Sequence, residues 1–475
     1  MHKYIQNITK KYIFLKKAGI FTILSVNNCI FTYNGYMAEI SMNNKSVFGF
    51  SFVAALFLFA CSETGGGNTP GGGSSSGSTG GGGGNSSNGN SQGETIGHHS
   101  VLPSNINEGK VRELYDSWMS TYYITFEDDP QISNPTLAAE GAEGTARIKS
   151  RYGSCTTAGE CTASEAIGYG MILSSLMEDW ERFNKLLAYS KVFRIKGTAL
   201  MTWDVADFRS GSGGSATDAD IDILASLFIA YEKTKNQNYL NDALEIGASI
   251  HEFEVDGNTK LVLPAMKNER MGNGTLYNIS YISLAALKML AIYDNERDWN
   301  SVLDTNISYM ERVQNAGDGL WPDWSNANGA PANPDNGSSN QLTASDGTKL
   351  MSHEAYYKET PRIPWRIAWY YHWFGDERAK AMLDKGMDFL HGKGVSSYQD
   401  LKDFYSYTGG KQSSTNAGPI RYASLCALGM GSSQNSEWLN SCNERVLNSI
   451  FQPAIGDYYG NSLRLIYLML FNGKF

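Results

Sequence analysis

The sequence predicts an all-α domain built as a toroid of about a dozen helices. Three observations carry that prediction. Apolar residues recur at helical spacing in segment after segment beyond residue 98, and nothing after that point breaks the composition or inserts a second linker. Alternating strand patterns are scarce, with Lys260–Leu263 the minor candidate. A solenoid would give a similar helix count; the lack of an internal repeat of roughly 34 or 40 residues lowers that reading, although periodicity alone does not decide between the two. One domain of about 375 residues can bury a large core without staples.

Taken in order, the chain opens on a segment that does not belong to that core. Met42-Asn-Asn-Lys45 is followed by an apolar run from Val47 to Ala60 and then Cys61. A basic start, a short apolar stretch and a small residue before the cut are the parts of an export signal. The run is too short for a comfortable membrane span. Leu58-Phe59-Ala60-Cys61 resembles a bacterial lipobox, in which the cysteine is acylated and becomes the mature N-terminus. Residues 1–61 are therefore expected to be a leader, with Met42 the better start, and Cys61 a lipid anchor. Residues 62–97 hold fifteen of the 50 glycines. Such a segment buries almost nothing and reads as a flexible tether. The expected location is the bacterial cell envelope, on an outer-membrane anchor facing the periplasm or the outside, or free after secretion.

The helical segments follow from there. Ile221–Tyr231 spaces its apolar residues for a helix after Thr217 and Asp218, which are good N-cap types. Similar segments occur near 107–119, 164–177, 179–191, 237–250, 281–293, 297–313, 363–373, 377–391, 420–430, 435–449 and 461–471. Ser/Gly-rich 210–215 and Asn/Gly/Pro-rich 325–340 read as loops inside the domain, which spans 98–475.

Charge and cysteines narrow the function. The net charge is −9, and the first 60 residues carry six lysines against one glutamate, so the remainder is more acidic still. Such a surface repels phosphate backbones and argues against nucleic acid as a partner. Six cysteines occur. Beyond Cys29 and Cys61 they are Cys155, Cys161, Cys426 and Cys442, which allow three pairings; the local ones, 155–161 and 426–442, are simplest in an oxidising compartment. Zinc competes weakly, because no paired His accompanies the spacing, so neither metal nor cofactor is expected. Seven histidines without a GxSxG elbow leave little room for serine hydrolysis.

Three segments place carboxylates among glycine and aromatic residues. Thr162-Ala-Ser-Glu165-Ala-Ile-Gly168-Tyr169-Gly170-Met171 sets Glu165 where a helix begins. A carboxyl partly desolvated there would have its pKa raised, as a general acid needs. A Glu serving only the helix dipole reads equally well from this segment alone. Ala216-Thr-Asp218-Ala-Asp220-Ile-Asp222 carries three acids at alternate positions, more than capping requires, and lacks the glycine and distal glutamate of a calcium loop. Tyr356-Tyr-Lys358-Glu359-Thr-Pro361-Arg362-Ile-Pro364-Trp365-Arg366 fixes the approach to a helix with two prolines, and Arg362 could hold a neighbouring carboxylate. Two separated carboxylates amid Trp and Tyr are what glycoside hydrolysis requires. Aromatic faces that stack on sugar rings would account for 27 Tyr and 10 Trp.

Over about 110–475 the chain resembles glycoside hydrolase family 8, inverting β-glycanases on an (α/α)6 barrel. Ser164–Met171 is similar to that family's SEGxGYGM segment, Leu200-Met-Thr-Trp203 to its LMxW segment and Ala216–Asp220 to its A[ST]D[AG]D signature. Gly319-Leu-Trp-Pro-Asp-Trp324 resembles GLVPDW, Arg362–Arg366 resembles RxPWR, and Tyr458–Arg464 resembles the closing YYGNSLR. The resemblance implies that Glu165 is the general acid and that Asp218 holds a distorted sugar at the cleavage site. It also implies sugar contacts at Trp203, Trp324, Tyr459, Tyr169 and Asp220, with Arg362 positioning the base.

One departure matters. The family's common subgroup has YDxxR, its aspartate being the catalytic base, whereas Lys358-Glu359-Thr-Pro-Arg362 puts glutamate there and lysine in the tyrosine position. Glu359 is the first candidate base, with Glu354 or Asp346 on the preceding loop as alternatives, and impaired catalysis as a third outcome. The expectation is an endo-acting, inverting β-1,4-glycanase acting as a monomer on plant-cell-wall polysaccharide. Xylan is favoured through the likeness of Trp373–Lys380 and Tyr459–Arg464 to the family's xylanases. An endo-β-1,4-glucanase and a catalytically impaired glycan-binding lipoprotein are the alternatives.

Overall fold

The computed structural model describes residues 96–129, 138–150, 161–334, 340–449 and 457–475, together with an antiparallel pair of two-residue strands, Thr22–Ile23 and Phe31–Thr32. The lipobox with Cys61, the tether 62–97 up to residue 95, and Cys155 lie outside the described residues. Residues Ser87–Phe475 cluster into one unit, and the account below concerns that unit.

Twelve α-helices lie in it: α1 (Glu108–Tyr122), α2 (Ser164–Leu176), α3 (Trp180–Val192), α4 (Thr217–Thr234), α5 (Gln237–Phe253), α6 (Leu284–Tyr293), α7 (Trp299–Ala316), α8 (Ile363–Phe374), α9 (Glu377–Gly392), α10 (Pro419–Ala427), α11 (Ser436–Asn448) and α12 (Tyr458–Phe471). Each falls on a segment predicted from sequence. The 420–430 segment gives up its α-helical form at Ala427 and continues as a 3-10 turn, Leu428–Gly431. Lys260–Leu263 is not a strand: Lys260 takes a positive φ of 63°, the chain turns there, and Val262 forms only a single bridge with Val255.

The even-numbered helices form a closed inner ring in which α2 packs on α4, α4 on α6, α6 on α8, α8 on α10, α10 on α12 and α12 back on α2. The odd-numbered helices back them from outside, each against the inner helix that precedes it, with α1 against α12. This is an (α/α)6 barrel. Burial follows the layering. Every residue of α2 except Glu165 is buried, and so is every residue of α8 except Phe374. Outer helices bury one stripe, as α3 does with Phe183, Leu186, Leu187, Tyr189 and Ser190. The closest inner contact needs a glycine, since a Cβ at Gly168 of α2 would stand 2.9 Å from the Asp222 Cβ of α4. At the end of α8, Gly375 adopts φ 61° and closes the helix in the left-handed region.

Connections distinguish the two ends of the barrel. Inner helices pass to outer ones by short turns such as 235–236 and 375–376, whereas outer helices return to inner ones through long loops such as 193–216, 254–283 and 317–362. The N-termini of the inner helices therefore meet under the long loops, where functional residues concentrate. Short antiparallel strands stiffen those loops. Cys161–Ala163 pairs with Asp204–Ala206, which pairs with Ser210–Ser212, and Ala355–Tyr356 pairs with Tyr405–Ser406. A Cys426–Cys442 disulfide ties α10 to α11, and Cys161 is also disulfide-bonded. No described helix is long and apolar enough to cross a membrane.

Candidate active site

Arg362 organises the mouth of the barrel. Two prolines bring the chain into α8, and Arg362 sits at its start, 1% exposed. Its Nη1 donates to Glu165 Oε2 and to Asp218 Oδ2, both at 2.7 Å, and its Nη2 donates to Glu359 Oε2. Its Nε donates to Ser280 Oγ at 3.1 Å. The rings of Tyr281 and Tyr459 lie 4.9 and 5.7 Å from the guanidinium carbon. Residues 165, 218 and 359, far apart in sequence, thus meet on one cation.

Glu165 occupies the first turn of α2, where no side chain caps the helix. Its side chain keeps 18% exposure. The Tyr458 hydroxyl donates to its other oxygen, Oε1. Burial is the largest influence on its carboxyl and raises the pKa; Arg362 pulls it down, Asp218 and Glu359 push it up, and Tyr458 lowers it. The result is a carboxyl pushed up to about 8, protonated at neutral pH. Asp218, in the first turn of α4, is buried and also accepts the N–H of Ala219 at 3.0 Å.

Glu359 rides on a loop held from below by Asp323. The Asp323 carboxyl accepts the backbone N–H groups of Tyr357, Lys358, Glu359 and Thr360 at 2.8–3.2 Å, and the Thr360 hydroxyl at 2.8 Å. Burial and the nearby Glu359 push Asp323 up to about 6 despite those donors. Asn278 donates to Glu359 Oε2 at 3.3 Å. The other two candidate bases are engaged elsewhere. Glu354 Oε2 accepts the N–H of Met351 at 2.8 Å, closing its own turn, and Asp346 pairs with Lys411 at 2.7 Å on the surface. Lys358 is exposed beside Glu359, its carbonyl accepting from the Tyr459 hydroxyl at 3.0 Å.

The aromatic candidates divide by exposure. Trp203 is 39% exposed, large for an aromatic side chain in this fold. Its carbonyl accepts the N–H of Ser164 and its N–H donates to Gly214, both at 2.8 Å, so its backbone is tied beside Glu165. Trp324 is partly exposed and packs on Tyr281 with ring centroids 6.1 Å apart. Tyr459 is partly exposed, 6.5 Å from the Tyr169 ring, whereas Tyr169 itself is fully buried. Asp220 is 1% exposed and binds the N–H of Met201 at 2.8 Å, so it faces protein. Among the described residues no cluster of three His, Cys, Asp or Glu side chains is arranged for a metal ion.

Several residues at the mouth are not among the sequence candidates: Tyr458, Asp323, Asn278, Ser280 and Tyr281. Tyr458 and Asp323 lie inside the quoted motifs, beside residues that are candidates. The 278–281 turn lies in none of them and reaches the site only because it leads into α6.

The model of the glycosyl hydrolases family 8 matches residues 142–474. Endoglucanase A of Acetivibrio thermocellus is 30% identical over 330 residues, covering 66% of this chain; the chain spans 62% of that protein's length. The apo structure of a β-1,3-1,4-glucanase from Paenibacillus sp. X4 superposes with a TM-score of 0.63 at 24% identity, covering 80% of this chain and 97% of that one. Rex8A from Paenibacillus barcinonensis, in complex with xylose, gives a TM-score of 0.59 at 17% identity, covering 78% and 94%. A family match over most of the chain places this protein among the glycosyl hydrolases of family 8.

Proposed function

We propose that the protein is an endo-acting, inverting glycoside hydrolase that cleaves β-1,4 linkages in plant-cell-wall polysaccharide. The observation that carries this reading is the Arg362 fork, which brings a protonated Glu165, Asp218 and Glu359 together at the mouth of the barrel. Glu165 delivers its proton to the glycosidic oxygen as the bond breaks. Glu359, on the opposite loop, takes a proton from the attacking water, and water entering on the face away from the leaving group inverts the anomeric carbon. Asp218 hydrogen-bonds the distorted ring at the cleavage site. Arg362 gathers the three carboxyl groups and fixes the position of the base. The longer glutamate arm is consistent with a base, since Glu359 is the candidate that reaches the cluster while Glu354 and Asp346 are bonded elsewhere. Trp203, Trp324 and Tyr459 line the groove as sugar platforms.

A β-1,4-glucan or mixed-linkage backbone is the first substrate, as the relatives' names suggest. Xylan is the second reading, favoured by Tyr459–Arg464 at the mouth. Trp373–Lys380 supports it less, because that stretch is the α8–α9 turn, at the opposite end of α8 from Arg362. The enzyme is proposed to act from the bacterial envelope on a lipidated Cys61 and a 62–97 leash. Hydrolysis of carboxymethylcellulose, mixed-linkage glucan and xylan, with the new reducing end followed by NMR, tests the reading. An α-anomer formed first supports it; a β-anomer overturns inversion, and no product from any of the three overturns the enzyme.

A further inference from the structure

Close to Asp218 lies a carboxyl pair that the reaction above does not use. Asp220 is on α4, and Glu254 closes the C-terminus of α5. They are 1% and 0% exposed. Asp220 Oδ1 accepts the N–H of Met201 at 2.8 Å. Glu254 Oε1 accepts the Ser215 hydroxyl at 2.5 Å, and Ser215 Oγ accepts the N–H of Met266 at 3.0 Å. The two remaining oxygens, Asp220 Oδ2 and Glu254 Oε2, are sealed from solvent and make no well-formed hydrogen bond, the Thr217 hydroxyl beside Glu254 being unsatisfied as well. Yet the two side chains lie within hydrogen-bond reach of each other.

Two carboxylate oxygens are both acceptors, so that contact is attractive only with a proton in it. The other groups facing the pair do not supply the missing charge. They are Asp218 on α4, Glu269 on the turn after Met266, and the hydroxyls of Ser215 and Thr217. The position of the pair gives the proton a consequence. Asp220 holds Met201, two residues before Trp203, and Glu254 holds Ser215, next to Gly214, whose carbonyl accepts the Trp203 N–H. Both backbone segments that carry the Trp203 platform are therefore tied to one acid pair.

We propose that Asp220 and Glu254 share a single buried proton and that the protonated pair positions Trp203 for sugar binding. Loss of the proton sets two carboxylates against each other and loosens both segments. Glu254 is thus a positioning residue, and so is Asp220. The binding consequence rests on the proposed sugar contact of Trp203; the shared proton does not.

The test uses the full chain carrying Glu165→Gln, which stops hydrolysis and removes the titration of Glu165. In that background, oligosaccharide affinity is measured by calorimetry from mildly acid to alkaline pH, with and without Glu254→Gln. The amide of Gln donates permanently to Asp220 and needs no shared proton. The expected result is an affinity that falls roughly tenfold as the pair ionises, and stays within about twofold once Gln is in place. Infrared difference spectra at about pH 7 should show a protonated carboxyl carbonyl that Glu254→Gln abolishes. Equal pH dependence in the two proteins, or a flat profile in the parent, overturns the positioning role; an unchanged carbonyl band overturns the shared proton. If Glu254→Gln does not fold, Asp220→Asn places the amide on the other side and is read in the same way. Trp203→Ala separates the two ideas: unchanged affinity there removes Trp203 from the sugar site, while the infrared result still judges the pair.

Discussion

Five of the six outer helices begin on an Asn or Asp whose side chain accepts a free backbone N–H: Asn107, Asp179, Asn236, Asp298 and Asp376. None of the six inner helices has such a cap. The outer ring satisfies its own termini at the barrel's short-turn end. The inner ring leaves its positive ends facing the mouth, where the carboxylates of Glu165 and Asp218 occupy the first turns of α2 and α4. Local helix stability is thus placed in one ring and the proposed chemistry in the other. Within the inner ring the same division repeats over one helical turn. Arg362 divides its donors among three carboxylates and a serine hydroxyl, while Arg366, four residues on, makes a bidentate pair with Asp222, at 2.6 and 3.0 Å. The side chains of that lower pair are 0% and 1% exposed, so substrate cannot reach it. It anchors α4 to α8 beneath the residues that work.

Glu165→Gln is the severest test of this division. It removes the proposed proton donor while keeping the shape, and should lower kcat about a thousandfold, roughly 4 kcal/mol of barrier, with the melting temperature close to that of the parent. A comparable loss of activity through unfolding would show that the mouth also holds the barrel together. Arg366→Met should do the opposite. It strands the buried Asp222 charge and should cost about 3–5 kcal/mol of unfolding free energy in denaturant titrations. Pairing it with Asp222→Leu should recover most of that loss, because the desolvation penalty goes with both charges. If Arg366→Met lowers kcat without lowering stability, the lower tier takes part in catalysis.

The sequence shows the rings more readily than the mouth, for a physical reason. Outer helices carry a 3.6-residue apolar period and inner ones read as near-continuous apolar runs, either of which a single segment reveals, and all twelve fall on predicted segments. Capping by Asn107 or Asp298 is likewise a matter of three residues. The mouth is assembled from contacts across 82, 144 and 197 residues, as Arg362 meets Ser280, Asp218 and Glu165. Glu165, Asp218, Glu359 and Arg362 are legible as carboxylates and a cation in unusual surroundings. Asp323 reads as an ordinary acid before a Trp, and only the fold shows its carboxylate gathering four backbone N–H groups under Glu359. Asp220 reads as a sugar contact, and Glu254 reads as nothing at all, because neither burial nor the neighbour across α4 and α5 is written locally.

A smaller effect distinguishes the rings at their helix starts. Asn107→Ala removes the acceptor for the N–H of Lys110, at 3.0 Å, on an outer helix far from the acids in sequence. It should cost about 1 kcal/mol in stability and leave kcat and KM unchanged. A change in kcat would mean that outer-ring order is transmitted to the mouth.

The finest test stays inside the mouth. Tyr458 donates to Glu165 Oε1, and that bond stabilises the ionised form, lowering the carboxyl from where burial alone would hold it. The acid must carry its proton, so activity should fall as pH rises through about 8, the alkaline limb of the profile. Tyr458→Phe removes a donor to the carboxylate; the pKa of Glu165 should rise further, and the alkaline limb should move to higher pH by less than about one unit. The same substitution at low pH, where Glu165 is protonated in any case, should change the rate little. A limb that moves downward would mean that Tyr458 supports the protonated acid, and a limb that stays in place would assign it to a different group. Stability gives the complementary sign. A carboxyl raised from 4.5 to about 8 favours the folded state fully below its unfolded pKa, and that contribution is lost as pH climbs through the folded value. The proposed acid therefore costs the barrel stability as pH climbs from about 4.5 to about 8, before the alkaline limb of activity is complete, while the Asp222–Arg366 pair one turn below holds α4 to α8.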